Sequence, residues 1–229
     1  MFAIEQVKAH LPKLNIFMSN ISIDFEPVPH YGVYKAHLNM PYTRDQIIDE
    51  LVKVKWGTTH EAEIYEEHYW DGARHKLYDI PRESPILFQL HLYFTSDQFK
   101  RRVINYCYEQ MPRVFQENWS NWTPEKMFEN THTHCEFIKD GPGLEIPLHT
   151  DSRIVIGGGM IYFAEQNDPR ISTNFYSDRE RNHPWTAETN FCDGWWHANS
   201  NNTYHDGGNK ADYDRYAMLY CLSVTTKTW

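Results

Sequence analysis

The spacing of apolar residues changes near residue 130. Upstream, Ile47, Ile48, Leu51 and Val54 recur at helical spacing behind Thr43 and Gln46, which are placed to form a capping box. Thr95-Ser96-Asp97 can cap a second helix carrying Phe99, Val103, Ile104 and Tyr108 and ending near Met111-Pro112. Thr123-Pro124 is an N-cap followed by proline at the first helical position, which predicts a short helix from Glu125 to Asn130. Between these, the apolar run Pro85 to Phe94 reads as a strand. Downstream, short apolar stretches alternate with Gly, Asn and Asp turns. Strands are expected at His134–Lys139, Leu144–Asp151, Gly159–Ala164, Ser172–Tyr176, Gly194–Ala198, Tyr204-His205 and Arg215–Val224. Short strands with turns of this kind favour a sandwich or barrel over an α/β fold. The expectation is one mainly β domain over 1–229. Residues 1–130 form a helix-rich part with some strands, and 131–229 form a jelly-roll-like barrel.

Composition narrows the classes. The chain has 229 residues, enough for a sizeable core without disulfide or metal staples. Aromatic residues make up 15%, a richness that suits β-structure and walled pockets. The formal charge is −9, which disfavours nucleic acid as a partner by bulk electrostatics. Cys107, Cys135, Cys192 and Cys221 are far apart and form no Cys-x-x-Cys, so a reducing cytoplasm is expected rather than a disulfide framework. Met1 to His10 lacks the apolar core of a signal peptide, and no apolar run reaches membrane-spanning length.

The sharpest chemical signal is His149-Thr150-Asp151. On a strand, residues i and i+2 share a face, so one imidazole and one carboxylate can converge on a cation. A further histidine would complete a facial triad of two histidines and one carboxylate, the arrangement that leaves open positions on iron(II). Taken alone, the pair is equally a polar strand end. His205 stands 54 residues after Asp151, and Arg215 follows ten residues later at the start of the apolar run Tyr216 to Leu222. An arginine leading a buried strand needs a partner for its guanidinium. That partner is either a ligand carboxylate held in bidentate fashion or a nearby acid such as Asp212 or Asp214.

His149-x-Asp151, a distal His205 and a basic Arg215 ten residues beyond it occur in the order and spacing of a known signature. In this the chain resembles the Fe(II)/2-oxoglutarate-dependent oxygenase superfamily, and its prolyl-hydroxylase-like members in particular. The likeness covers roughly residues 134 to 224. It implies a double-stranded β-helix with iron(II) held by His149, Asp151 and His205. It also implies 2-oxoglutarate with its far carboxylate on Arg215, O2 as oxidant, and hydroxylation of a substrate with release of succinate and carbon dioxide. Tyr162 would add a hydroxyl to the co-substrate carboxylate, the alternative being a core tyrosine with a satisfied OH. The chain departs from the pattern at Ala217, where many members carry serine or threonine. Two other readings remain open: a cupin-like metal enzyme that uses no keto acid, and a non-catalytic jelly-roll binding protein.

Other constellations carry less. His132 and His134 are followed by Cys135 but lack a fourth zinc ligand at matching spacing. His60, Glu61 and His68 do not form His-Glu-x-x-His. His183, His197, Arg179 and Arg181 are read as loop, surface or strand residues, with a substrate mouth as the alternative. Of Trp195 and Trp196, one is expected to face the cavity and the other outward.

Overall fold

A computed structural model describes residues 20–29, 32–58, 74–77, 84–110, 122–152, 154–200 and 203–225. The expectations for His60, Glu61 and His68, and for a helix end at Met111-Pro112, lie outside them. Twelve strands fall in two antiparallel sheets among the described residues. They are β1 (Ser22–Pro27), β2 (Val33–Asn39), β3 (Gly57–Thr58), β4 (Arg74–Leu77), β5 (Thr131–Asp140) and β6 (Leu144–His149). The rest are β7 (Val155–Tyr162), β8 (Asn174–Tyr176), β9 (Trp185–Thr186), β10 (Asp193–Ala198), β11 (Tyr204–Asn209) and β12 (Arg215–Val224). The large sheet has the order β1-β2-β10-β7-β12-β5-β4-β3, and the small one β6-β11-β8-β9. From β5 to β12 the chain thus passes back and forth between the two sheets, with only β8 and β9 consecutive in one of them, the winding of a double-stranded β-helix. The expected mainly β, jelly-roll class with helices from the N-terminal side is what the chain forms.

The helices are α1 (Arg44–Leu51), α2 (Pro85–Phe94), α3 (Asp97–Gln110) and α4 (Pro124–Asn130). The capping box of α1 is complete, with the Thr43 side chain accepting from Gln46 N and the Gln46 side chain accepting from Thr43 N. Thr123 caps α4 by accepting from Lys126 N, with Pro124 at the first turn.

The run Pro85–Phe94 is a helix, not the expected strand. Proline at its first turn suits a helix start, and Leu87, Leu90, Tyr93 and Phe94 are buried, a spacing of three and four. Alternation was obscured because the helix is covered on more than one side. It packs on α1, α3 and the outer face of β5. Strands β1 and β2 were not expected at all. They extend the large sheet through pairing of β2 with β10.

The main core lies between the helices and the outer face of the large sheet. Leu87, Leu90, Phe94, Phe99, Phe137, Trp196, Met218, Tyr220 and Leu222 meet there. Trp196 stacks on Tyr220 with ring centroids 5.5 Å apart, while Trp195 faces the cavity on the other side of the sheet, as strand alternation requires. Burying one large face of a sheet under helices leaves its other face free to line a cavity against the small sheet.

Candidate metal centre and its cavity

A cavity of about 700 Å³ lies between the two sheets. His149, Asp151 and His205 stand together in its wall, and one ligand atom from each falls within 4.8 Å of the others. Strand register produces this. His205 on β11 is the direct cross-strand partner of His149 on β6, which puts the two ring centroids 4.2 Å apart. The register shifts between His205 and Gly207, a bulge that aims the histidine end of β11. Gly208 follows with φ +137°, and a Cβ there would lie 2.0 Å from the Leu144 carbonyl oxygen, so no other residue fits.

Asp151 lies just beyond β6, in a loop tied down by Asn199. The Asn199 amide donates to the carbonyls of Ser152 at 2.8 Å and Val155 at 2.9 Å. The tautomers of both histidines follow from their backbone partners, since a carbonyl can only accept. His149 Nδ1–H donates to Pro147 O at 2.8 Å, and His205 Nδ1–H to Thr203 O at 3.1 Å. Each therefore offers an Nε2 lone pair, and each Nε2 lies 3.8 Å from Asp151 Oδ1. Two ligands on one first-row metal ion, each about 2.1 Å from it, are at most about 4.2 Å apart. Both nitrogen–oxygen distances lie inside that limit, as a shared divalent cation requires.

The electrostatics agree with that fit. Burial pushes the His205 imidazole down to about 3, so it is an unprotonated donor at neutral pH. Burial pushes the Asp151 carboxyl up, but the hydrogen bond from His197 and the imidazoles of His197, His205 and His149 more than offset it. The carboxyl is held well below the usual carboxylate range and is ionised. His197 was expected to be a surface or strand residue. It is fully buried on β10 and donates from Nε2 to Asp151 Oδ2 at 2.8 Å. No local sequence signal marked it, because its partner is 46 residues away.

The two residues expected to hold a co-substrate sit deeper. Tyr162 is fully buried. Its hydroxyl pairs with Thr173 Oγ1 at 2.9 Å and accepts from Thr173 N at 3.1 Å and Trp195 Nε1 at 3.2 Å. The hydroxyl is satisfied by the fold.

Arg215 is 1% exposed and lies 6.0 Å from the centre of the Tyr162 ring. Its Nε donates to Asp140 Oδ2 at 2.9 Å, and its Nη2 donates to the same carboxylate. Its Nη1 donates to Ile171 O at 2.6 Å and Gly208 O at 2.8 Å. Four of the five N–H donors of a guanidinium are thus in use. Nε and Nη2 are thus turned to Asp140, an acid partner of the kind the sequence left open beside a ligand carboxylate, though a different acid from Asp212 or Asp214. The acids near it in sequence pair elsewhere, Asp212 with Arg170 and Asp214 with Lys139. Arg74 on β4 grips Asp140 from the other side, with Nη2 to Oδ2 at 2.8 Å, and it also lines the cavity.

The wall facing the candidate ligands is ionic. His132, His134 and Glu136 on β5 and Lys76 on β4 all line the cavity. Glu136 takes His134 Nε2 at 2.6 Å and Lys76 Nζ at 2.9 Å. Arg179 and Arg181 lie in the segment between β8 and β9. Arg179 donates to the Tyr204 hydroxyl at 3.3 Å, and Arg181 pairs with Asp206 at 2.9 Å.

No family model and no curated protein matches the sequence. Solved structures do. A Shewanella oneidensis protein assigned as an oxygenase is 10% identical, with 92% of this chain and 86% of that chain covered and a TM-score of 0.51. A prolyl-4-hydroxylase from Pseudomonas putida is 10% identical, with 93% and 99% covered and a TM-score of 0.44. HygX from Streptomyces hygroscopicus, solved with nickel and 2-oxoglutarate bound, is 11% identical, with 85% and 83% covered and a TM-score of 0.49. At such identities the likeness is one of fold: the chain shares its fold with the Shewanella oneidensis structure, and its own two sheets wind as a double-stranded β-helix.

Proposed function

We propose that this chain is an Fe(II)-dependent oxygenase using 2-oxoglutarate and O2, acting as a hydroxylase on a small molecule or a peptide side chain. One observation carries the reading: two Nε2 lone pairs and one carboxylate oxygen, each fixed by its own hydrogen bond, converge at the wall of a large cavity. His149, Asp151 and His205 would hold the metal. Three protein ligands leave open positions on the ion, as a site that must also take oxygen and a chelating co-substrate requires. When bound, iron(II) and the keto acid supply oxidative decarboxylation and transfer of an oxygen atom.

The chain's own residues do the rest. Thr203 and Pro147 keep both imidazoles in the ligating tautomer. Met160, Leu219 and Trp195 line the cavity with apolar surface that excludes water. Arg74 is a cavity-lining cation above the Asp140–Arg215 pair, a place where a far carboxylate can be met. The free thiols of Cys135, Cys192 and Cys221 suit a cytoplasmic setting.

A second reading is favoured by a specific observation. Because Asp140 already holds Arg215, a metal enzyme of the cupin kind that uses no keto acid is the alternative. Titration of anaerobic iron(II)-loaded protein with 2-oxoglutarate separates the two. A visible metal-to-ligand charge-transfer band, lost in His205→Ala and weakened in Arg74→Met, supports the keto-acid reading. Iron binding with no band at saturating 2-oxoglutarate refutes it and leaves the alternative.

A further inference from the structure

We propose that His197 is a positioning residue that fixes Asp151 so that a single carboxylate oxygen faces the metal. This rests on the metal site proposed above. A free carboxylate can give an ion one oxygen or both. Here Oδ2 accepts from His197 Nε2 at 2.8 Å, while Oδ1 lies 3.8 Å from both ligating nitrogens. The two oxygens thus have separate partners. Rotating the carboxylate to offer both would break its bond to His197. That bond is shielded, since His197 is fully buried against Phe175, Trp195 and His205, with ring centroids 5.7, 5.6 and 5.0 Å away.

Two further observations point the same way. The other ring nitrogen, His197 Nδ1, is buried without a hydrogen-bond partner among the described residues. A buried polar atom left unsatisfied carries a cost that packing alone does not explain, and an apolar side chain would avoid it. The imidazole is retained for what its other nitrogen does. The neighbouring strand also makes room for the contact. A Cβ on Gly158 would lie 3.3 Å from Asp151 Oδ2, tight against it, and 3.5 Å from His197 Nε2, so it would crowd the carboxylate end of the hydrogen bond. Glycine there leaves the two side chains free to meet. Partners that orient metal ligands in this way typically contribute 10- to 100-fold to metal affinity.

Cobalt(II) titration, followed by visible d–d absorption, reads both affinity and coordination without turnover. His197→Gln places an amide nitrogen near the Nε2 position, His197→Met fills the space without a donor, and Gly158→Ala crowds the contact while keeping the imidazole. Circular dichroism of each metal-free variant checks folding, and Gly158→Ala carries the test if His197→Met does not fold. The expected result is a wild-type-like spectrum and affinity for His197→Gln. His197→Met and Gly158→Ala are expected to lose roughly 10- to 100-fold in affinity, with a changed band envelope. Wild-type affinity and spectrum in His197→Met, or equal damage in His197→Gln, overturns the proposal while the metal site stands. If wild type binds no more cobalt than Asp151→Ala, the metal site itself fails, and the role of His197 with it.

Discussion

Asp140 and Arg215 are direct cross-strand partners on β5 and β12, and the carboxylate of one takes both the Nε and the Nη2 of the other. Arg74 holds the same position on the other flank of β5, so two guanidinium groups from neighbouring strands share one carboxylate. Both arginines and the aspartate are nearly inaccessible. Removing one member of a buried ion cluster leaves an uncompensated charge, which costs about 3–5 kcal/mol. Asp140→Ala is expected to lose about that much in urea unfolding. A fall under about 1 kcal/mol, the range of exposed pairs, would show that the cluster is solvated in solution.

Acid should weaken the wall opposite the metal ligands. Burial pushes the Glu136 carboxyl up, but His134 and Lys76 outweigh it and hold it at about 2. A carboxyl depressed in the folded state contributes stability above its unfolded value near 4.3, and the contribution is lost as pH falls toward 2. The dependence of unfolding free energy on pH should be shallower in Glu136→Gln over that window. Equal slopes in the two proteins would mean that the pairing is not formed in solution.

Metal binding should be visible as stability. A ligand that binds only the folded state adds about 4 kcal/mol at a thousandfold excess over its dissociation constant. Iron(II) under anaerobic conditions is expected to raise the melting temperature of wild type and to leave Asp151→Ala unchanged. A rise of equal size in both would place the binding elsewhere.

The large sheet should be intolerant at one backbone crossing. A Cβ on Gly194 would lie 1.8 Å from the Met160 carbonyl oxygen, where β10 pairs with β7. The atom facing it is backbone, which cannot swing away. Gly194→Ala is expected to cost at least the 1–3 kcal/mol usual for overpacking. Unfolding by guanidinium chloride with an unchanged midpoint would contradict the register of the two strands.

Much of this molecule is legible in its sequence where the signal is local. The capping residues Thr43 and Thr123 are read directly, because a cap bonds its own first turn. The strands from β5 to β8 and from β10 to β12 are marked by turns, whereas the two-residue β9 is not, and His149 and Asp151 are two residues apart. Pro85–Phe94 misleads because a helix buried on several sides is apolar nearly throughout, although Pro85 at its start and the Leu87, Leu90, Phe94 stripe favour a helix. β2 carries a strand signal that went unread, the alternation of Tyr34, Ala36 and Leu38 with Lys35 and His37. Partners distant in sequence are another matter. Asp140 lies 75 residues from Arg215 and 66 from Arg74, and no spacing rule links them. The acids nearest Arg215 in sequence are not its partners, since β12 leads it inward while Asp212 and Asp214 stay at the surface.

The division of the barrel has a consequence for how such a protein can change. The three candidate ligands come from the small sheet and the loop leaving it, whereas His132, His134, Lys76 and Glu136 stand on the large sheet across the cavity. The candidate ligands and this ionic group therefore stand on different sheets, with His197 on β10 as the large sheet's contact to Asp151. Exchanging His132 or His134 is expected to change what the cavity admits while the geometry at Asp151 stays as it is. Retargeting by β5 alone would leave untouched the one strand of that sheet, β10, whose side chain meets Asp151.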